Sequence, residues 1–452
     1  MSAPSAPLPL PSQNVLIPTS GRYEAAEGTF ATRHIPSAVI WRDDPSLPAD
    51  AFVLEVRPRQ LVVRSYSPGG RQYALGMLHK LARRDAHGRY RISCGTYTEI
   101  PRTPWRGLML DSGRQYQSVA TIKRKLDLLA DLRMNVFHWH LTEGLGWRLD
   151  IRRYPRLAEQ GSRVAHGLEQ QGYYTRDDVR QVVAYAAERG ITVVPEIDMP
   201  GHAEAALSCY PEMSCFGQPA PIPETGFTDN IFCAGKDATL QFLRDILDEV
   251  CELFPSPYIH LGGDEAPKGN WDRCPDCQRR IADHGLADSH ELQLWFAAQM
   301  AEHLRTKGRY AIFWEDVVAS GDYPLPPNVV IHWWNCRVNQ DRNLRRALER
   351  GYRVLCSPNY YTYLNFPTAP WRGYGAARTF TLPDAYQRNP LDAALASGHP
   401  LVIGAECALW TDYVLTEDLL DARLFPRIYA LAQLMWAGPV LPYDEFCRTI
   451  GE

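Results

Sequence analysis

From Arg106 to the C-terminus, short apolar runs alternate with stretches whose apolar positions recur every three or four residues. The runs are RGLMLD (106–111), VFHWH (136–140), ITVVPE (191–196), YIHL (258–261), RYAIFW (309–314), NVVIHWW (328–334), YRVLC (352–356) and PLVIGAECALW (400–410). Behind most of them lies a helical pattern: SVATIKRKLDLLADLRMN, TRDDVRQVVAYAAERG, DATLQFLRDILDEVCELF, SHELQLWFAAQMAEHLRTKG, DRNLRRALERG and finally LDARLFPRIYALAQLMW. Continuous apolar strands separated by amphipathic helices predict parallel strands joined by right-handed crossovers. Eight such units predict an α/β fold of the (β/α)8 TIM-barrel type with long loops. A doubly wound open sheet is the rival. It is weakened because no Gly-rich phosphate loop follows an early strand.

Upstream the pattern differs. AFVLEVRPRQLVVRSY (51–66) reads as two strands around a turn, GGRQYALGMLHKLARR (69–84) as a helix and RYRISCGTYTEI (89–100) as a further strand pair. The expected organisation is therefore an extended Pro- and Ser-rich lead-in over 1–20, a small α/β domain over 21–100 and the barrel over 101–452.

In such a barrel, chemistry gathers at the C-terminal ends of the strands. Those ends carry Asp111 and Arg114; His138, His140 and Glu143; Glu196, Asp198 and His202; Asp264 and Glu265; Trp314, Glu315 and Asp316; Trp333 and Trp334; Tyr361, Tyr363 and Asn365; and Glu406, Trp410 and Asp412. Any one of them alone could be a helix cap or a buried hydrogen-bond partner. The whole set at one end of eight strands is not what a structural scaffold needs.

Composition sharpens this only in places. The 452 residues are 45% hydrophobic and 22% charged with a net charge of −4, which is ordinary for a globular chain and offers nothing to a polyanion such as nucleic acid. The 12 Trp and 23 Tyr are more telling. Packing accounts for many of them, but aromatic faces beside carboxylates also suit the apolar side of a sugar ring. No apolar run approaches the roughly 18 residues of a membrane span. MSAPSAPLPLPSQ lacks the basic and apolar regions of a signal peptide, so the chain reads at face value as cytoplasmic, with an extracytoplasmic site open if a signal was removed.

Eleven Cys cannot all pair within the chain. Cys274 and Cys277 form one CPDC with no second CxxC to complete a metal site. The reading is a structural or surface loop, with a disulfide ahead of a metal. Cys209, Cys215 and Cys233 could pair in an oxidising compartment. No cofactor and no metal are expected.

The stretch HLGGDEAPKGNW (260–271) places Asp264 and Glu265 side by side. Ordinary glycosidases hold two carboxyl groups about 5–9.5 Å apart across the scissile bond. Neighbouring residues cannot straddle a sugar in that way. Either the nucleophile comes from another strand, or the substrate supplies it.

RGLMLDSGR, NVFHWHLTEGLGWR, VVPEIDMPGH, YIHLGGDE and GAECALW, in this order and spacing, resemble glycoside hydrolase family 20, the β-N-acetylhexosaminidases. The resemblance runs from about residue 50 to the C-terminus, and the first ~100 residues look like the small α/β domain that precedes the family's barrel. It implies removal of terminal β-linked GlcNAc or GalNAc from a glycan with retention of configuration. Glu265 matches the general acid and base. Asp264 matches the residue that binds the nitrogen of the 2-acetamido group, whose oxygen attacks the anomeric carbon. Arg114 matches the arginine on the 3- and 4-hydroxyls; Trp314, Trp334 and Trp410 the pocket tryptophans; Tyr363 the tyrosine on the acetamido oxygen; Asp412 the carboxylate, usually Glu, on the 4- and 6-hydroxyls. His202 and Glu143 match a relay behind the acid.

Three positions depart from the family's pattern. Glu143 stands where Asp is usual, Gln115 where His is common, and Asn365 where Asp is frequent. The neutral amide of Asn365 suggests tolerance of a 6-sulfate on GlcNAc. Two alternatives stay open within the same barrel: action on a terminal disaccharide, as in lacto-N-biosidases, and an inactive carbohydrate-binding barrel. A third, a metal-dependent hydrolase, is prompted by His138 and His140, which share a strand face.

Overall fold

A computed structural model describes residues 17–163, 171–219, 228–319, 321–338, 340–368, 379–412 and 416–452. Eight parallel strands close into a barrel in chain order: Trp105–Asp111, Val136–His140, Thr192–Glu196, Tyr258–His260, Tyr310–Trp314, Val329–Trp333, Arg353–Cys356 and Val402–Leu409. The eighth pairs with the first, Glu406 opposite Gly107, which closes the ring. These are the eight apolar runs of the sequence. They are continuous because both faces are covered, by the barrel interior on one side and the helices on the other.

The interior is layered. Trp105, Val136, Val194, Ile312, Val330 and Leu355 form an apolar plug at the N-terminal end. Two residues further along their strands, His138, Glu196 and His332 form the next layer with His260 and Glu406, all of them buried. Residues one position out of phase, such as Phe137 and Trp139, face the helices instead.

The helices follow the predicted spacing. Asp237–Leu253 buries Leu240, Phe242, Leu243, Ile246, Leu247 and Val250 on one stripe, each worth about 1.5–3 kcal/mol when fully withdrawn from water. The run ending at Trp436 differs from its periodic reading. It is two helices, Glu417–Leu424 and Arg427–Trp436, parted at Phe425-Pro426, because proline has no N–H to continue the first. After the fifth strand the helix is only Asp316–Ala319.

The N-terminal region is a six-stranded sheet with the helix Pro68–Leu81. Phe52–Arg57 and Gln60–Ser65 are the predicted hairpin. The expected strand pair over 89–100 is instead one ten-residue strand, Tyr90–Glu99, which pairs with Tyr23–Thr32 and with Phe52–Arg57. Of the lead-in, residues 1–16 lie outside the described residues; Ile17 is buried in the barrel's core cluster. Trp436 at the end of the last helix packs into the N-terminal core and donates to Glu99 Oε2 at 2.7 Å. Glu99 Oε2 also accepts from Arg133 at 2.9 Å, so one carboxylate ties sheet to barrel. Among the described residues no helix is long and apolar enough to cross a membrane.

Candidate active site

The fourth strand ends in Leu-Gly-Gly-Asp-Glu. Gly262 turns at φ 66° and lies so close to the third strand's loop that a Cβ there would stand 1.7 Å from Asp198 Oδ1. Only glycine permits this approach, and it brings Asp264 and Glu265 over the barrel mouth. Glu265 itself has φ 46° and His202 φ 50°, left-handed conformations that cost a non-glycine residue about 1–3 kcal/mol and gather at functional sites.

Asp264 and Glu265 line a pocket of about 310 Å³. Arg114, Trp314, Trp334, Tyr363, Asn365, Trp410 and Asp412 line it with them. These are all the sugar-contact residues expected from the sequence, collected from the end of the fifth strand, which supplies Trp314, and from the segments after the first, sixth, seventh and eighth strands. Trp314 is fixed from below: its ring stacks on His332 at 4.1 Å and its Nε1 donates to Glu196 Oε1 at 2.9 Å. Trp410 meets the edge of His140 at 5.0 Å and carries the Arg114 guanidinium over its face at 5.0 Å. Trp334 lies parallel to Tyr363, with ring centroids 6.3 Å apart. Asn365 donates to Asp412 Oδ1 at 3.1 Å.

His202 and Glu143 lie behind this wall, both buried. Glu143 sits on a short hairpin, Thr142–Glu143 with Gly146–Trp147. Its Oε1 is 2.9 Å from His202 Nδ1, and the same carboxylate pairs with Arg114. His202 Nε2 is 3.5 Å from Asp264 Oδ2 and 3.7 Å from Glu265 Oε2. Charges thus alternate from Arg114 through Glu143 and His202 to the acid pair. Asp111 anchors the first link, accepting from Arg114 Nη1 at 3.0 Å.

The fields follow from this chain. Burial and then the adjacent Asp264 charge push Glu265 up to about 7, with His202 and Arg114 opposing. The side chain keeps 39% of its surface open to the cleft, and the cleft walls still strip enough water to disfavour its anion. Burial opposes a charged His202, but Glu143 and Asp264 raise it well above the ordinary histidine range. Burial would raise Glu143; the Arg114 and His202 charges hold it at about 2. Burial keeps Tyr363 well above the usual phenol range, so its hydroxyl remains a donor. A carboxyl near neutrality beside a fixed imidazolium is what proton transfer at moderate pH needs.

Not every strand-end residue reaches the pocket. His138 pairs through Nδ1 with Glu406 at 2.7 Å and through Nε2 with Glu196 at 3.0 Å, and His140 also pairs with Glu196. Burial opposes the charge on His138, but Glu406 and Glu196 raise it to about 9. The two histidines that prompted a metal-hydrolase reading are therefore held by carboxylates beneath the pocket and do not line it. Trp333 faces outward, its Nε1 donating to Gln340 O at 3.0 Å. Glu315 is buried and accepts from Trp334 N and Asn343 Nδ2, each at 3.1 Å.

Asp316 has a place in the site to which the sequence reading gave no role. It accepts from Trp334 Nε1 at 2.7 Å and from Glu265 N at 3.4 Å. Burial and then the Asp264 charge raise it to about 6. Its signal was position alone, two residues past Trp314. The rim residues Asn335 and Arg337, in an irregular loop, and Tyr360, in the short helix Asn359–Thr362, carry no comparable signal.

A (β/α)8 barrel with an aromatic-walled pocket and a paired-acid centre at its C-terminal mouth is the architecture of a sugar-cleaving hydrolase. The family model "Glycosyl hydrolase family 20, catalytic domain" matches residues 103–439, and the chain belongs to that family. A β-hexosaminidase of Akkermansia muciniphila is 33% identical over 458 residues, spanning 99% of this chain and 91% of that protein. A β-hexosaminidase of Porphyromonas gingivalis is 39% identical over 361 residues, 77% of this chain but only 45% of that longer protein. Among solved structures, a β-N-acetylhexosaminidase from Bacteroides fragilis superposes with a TM-score of 0.91 at 47% identity, covering 96% of this chain and 94% of that one.

Proposed function

We propose that the protein is an exo-acting, retaining β-N-acetylhexosaminidase that removes terminal β-linked GlcNAc or GalNAc from glycans. The carrying observation is that Asp264 and Glu265 are adjacent, share one pocket and face one buried histidine, His202. Such a pair cannot act as acid and nucleophile on opposite sides of a sugar. The substrate's 2-acetamido oxygen is then the nucleophile, and its attack gains from being intramolecular.

Glu265 gives its proton to the glycosidic oxygen as that bond breaks, and the acetamido oxygen closes on C1 to form an oxazolinium. Asp264 accepts from the acetamido N–H and balances the positive charge. Its Oδ1 has no hydrogen-bond partner among the described residues. Tyr363 donates to the acetamido oxygen. Glu265, now ionised, takes a proton from water, which opens the oxazolinium from the face the leaving group vacated. Arg114 and Asp412 hold the ring hydroxyls. The pocket volume, at the small end for ligand sites, supports one sugar rather than two.

The finer reading is tolerance of a 6-sulfate, because Asn365 is neutral. Its amide is turned toward Asp412, so the local negative charge is one carboxylate rather than two.

The test is a rate panel of 4-nitrophenyl β-glycosides: GlcNAc, GalNAc, 6-sulfo-GlcNAc and glucose. The first two should be cleaved, and the glucoside, which has no acetamido group, should not. Comparable cleavage of the glucoside overturns substrate assistance. Absence of any rate on the sulfated sugar overturns the finer reading alone.

A further inference from the structure

From the sequence, CPDC reads as a structural or surface loop, for want of a second cysteine pair. The structure differs. Cys274 and Cys277 are fully buried, and Cys215 and Cys233 converge on them from the preceding long loop. All four Sγ atoms lie within 4.8 Å of one another. Three of the separations are 3.9 Å for Cys215–Cys277, 3.8 Å for Cys233–Cys274 and 3.6 Å for Cys233–Cys277. A disulfide would bring two sulfurs to about 2.05 Å. Four thiolates around a tetrahedral zinc at about 2.3 Å each would stand about 3.8 Å apart along every edge.

The surroundings build this convergence. Ser214 bridges to Phe232 in antiparallel fashion, and Cys233 N donates to Met213 O at 2.9 Å, so Cys215 and Cys233 emerge side by side. Cys274 caps the helix Pro275–His284 and Cys277 lies in its first turn, the positive end of a helix dipole and a favourable place for thiolate charge. Gly235 admits that turn: a Cβ there would stand 2.2 Å from the carbonyl carbon of Asp276. Trp271, buried, donates to Phe232 O at 3.0 Å.

We propose that Cys215, Cys233, Cys274 and Cys277 bind one Zn²⁺ as a tetrahedral structural site, which pins the loop after the third barrel strand to the loop after the fourth. Binding releases the four thiol protons to solvent and leaves a closed four-sulfur shell with no open position for chemistry. The pinned loops carry the active site. Phe232 N donates to Pro200 O at 2.9 Å, two residues before His202, and Asn270, beyond Glu265, donates to Asp229 O at 2.6 Å. The ion would thus hold the histidine and the acid pair in register from outside the pocket, whatever sugar the pocket takes.

The experiment uses the full chain, purified reduced and without a metal-affinity resin. Elemental analysis and native mass spectrometry should find one zinc per chain, and an organomercurial should release it as it caps the four cysteine sulfurs. Cys233→Ser and Cys277→Ser should lose the ion. Should those variants fail to fold, cobalt exchanged into the wild type reads the site directly, through sulfur-to-cobalt charge transfer and tetrahedral ligand-field bands. Hydrogen exchange over 228–235 and 265–277 should rise when zinc is withdrawn. Reduced protein that takes up no added zinc, disulfides mapped among the four cysteines, or iron in place of zinc overturns the assignment. Unchanged exchange in both segments overturns the pinning.

Discussion

Glu143 and His202 form a buried ion pair, Oε1 to Nδ1 at 2.9 Å. The same carboxylate holds Arg114, so one side chain serves both the cation beside the acids and the cation of the pocket wall. Glu143→Gln should leave both short of a counter-charge. Breaking one side of a buried pair costs about 3–5 kcal/mol, so the denaturation midpoint and kcat/KM should fall together. Glu143→Asp keeps the charge and should recover most of both. Wild-type behaviour of the Gln variant in chemical denaturation and in kinetics would remove Glu143 from the relay.

Glu265→Gln should separate substrates by leaving group. Loss of a general acid costs about 10²–10⁴-fold, and the full loss should appear with alkyl or sugar leaving groups that need a proton. A 4-nitrophenolate needs little help to depart, so its formation of the oxazolinium should suffer far less. Equal losses in kcat/KM, which reports formation of the oxazolinium and not its hydrolysis, on the two substrate types would show that Glu265 is not the proton donor.

The pH profile carries a sign. Glu265 must be protonated to act as acid, and its pKa is raised to about 7. Accordingly kcat/KM for a disaccharide should decline as pH rises through about 7. The charge of Asp316 contributes to that elevation, so Asp316→Asn should move the descending limb to lower pH. A limb that stays in place or moves upward contradicts the arrangement.

Gly262→Ala should damage fold and activity at once. The added Cβ would meet Asp198 Oδ1, and φ 66° is strained for alanine. About 1–3 kcal/mol of stability should be lost. A variant with unchanged melting temperature and unchanged kcat would mean that the strand end relaxes freely.

The barrel was legible because its strands are buried on both faces and appear as unbroken apolar runs, with helices between them at a different period. The outer strand Tyr23–Thr32 escaped notice because seven of its first eight positions are exposed, so no alternation marks it. Tyr90–Glu99 read as two strands because Gly95 interrupts its apolar pattern. The site residues were found through local motifs at strand ends. Asp316's part in the site and the cysteine cluster were not, since each depends on which loops meet in space. Cys215 and Cys233 lie in different windows from CPDC, and no spacing rule links them.

The pocket rests on Trp314, itself seated on the buried layer of His138, Glu196, His260, His332 and Glu406, with an apolar plug below. Among the described residues that closes the pocket from below and leaves its mouth to serve as both entrance and exit. On the proposed exo action, a freed monosaccharide would back out the way it came before the shortened chain could advance. Turnover on a long glycan would therefore proceed as repeated separate visits rather than by threading, and accumulated monosaccharide would compete with every one of them.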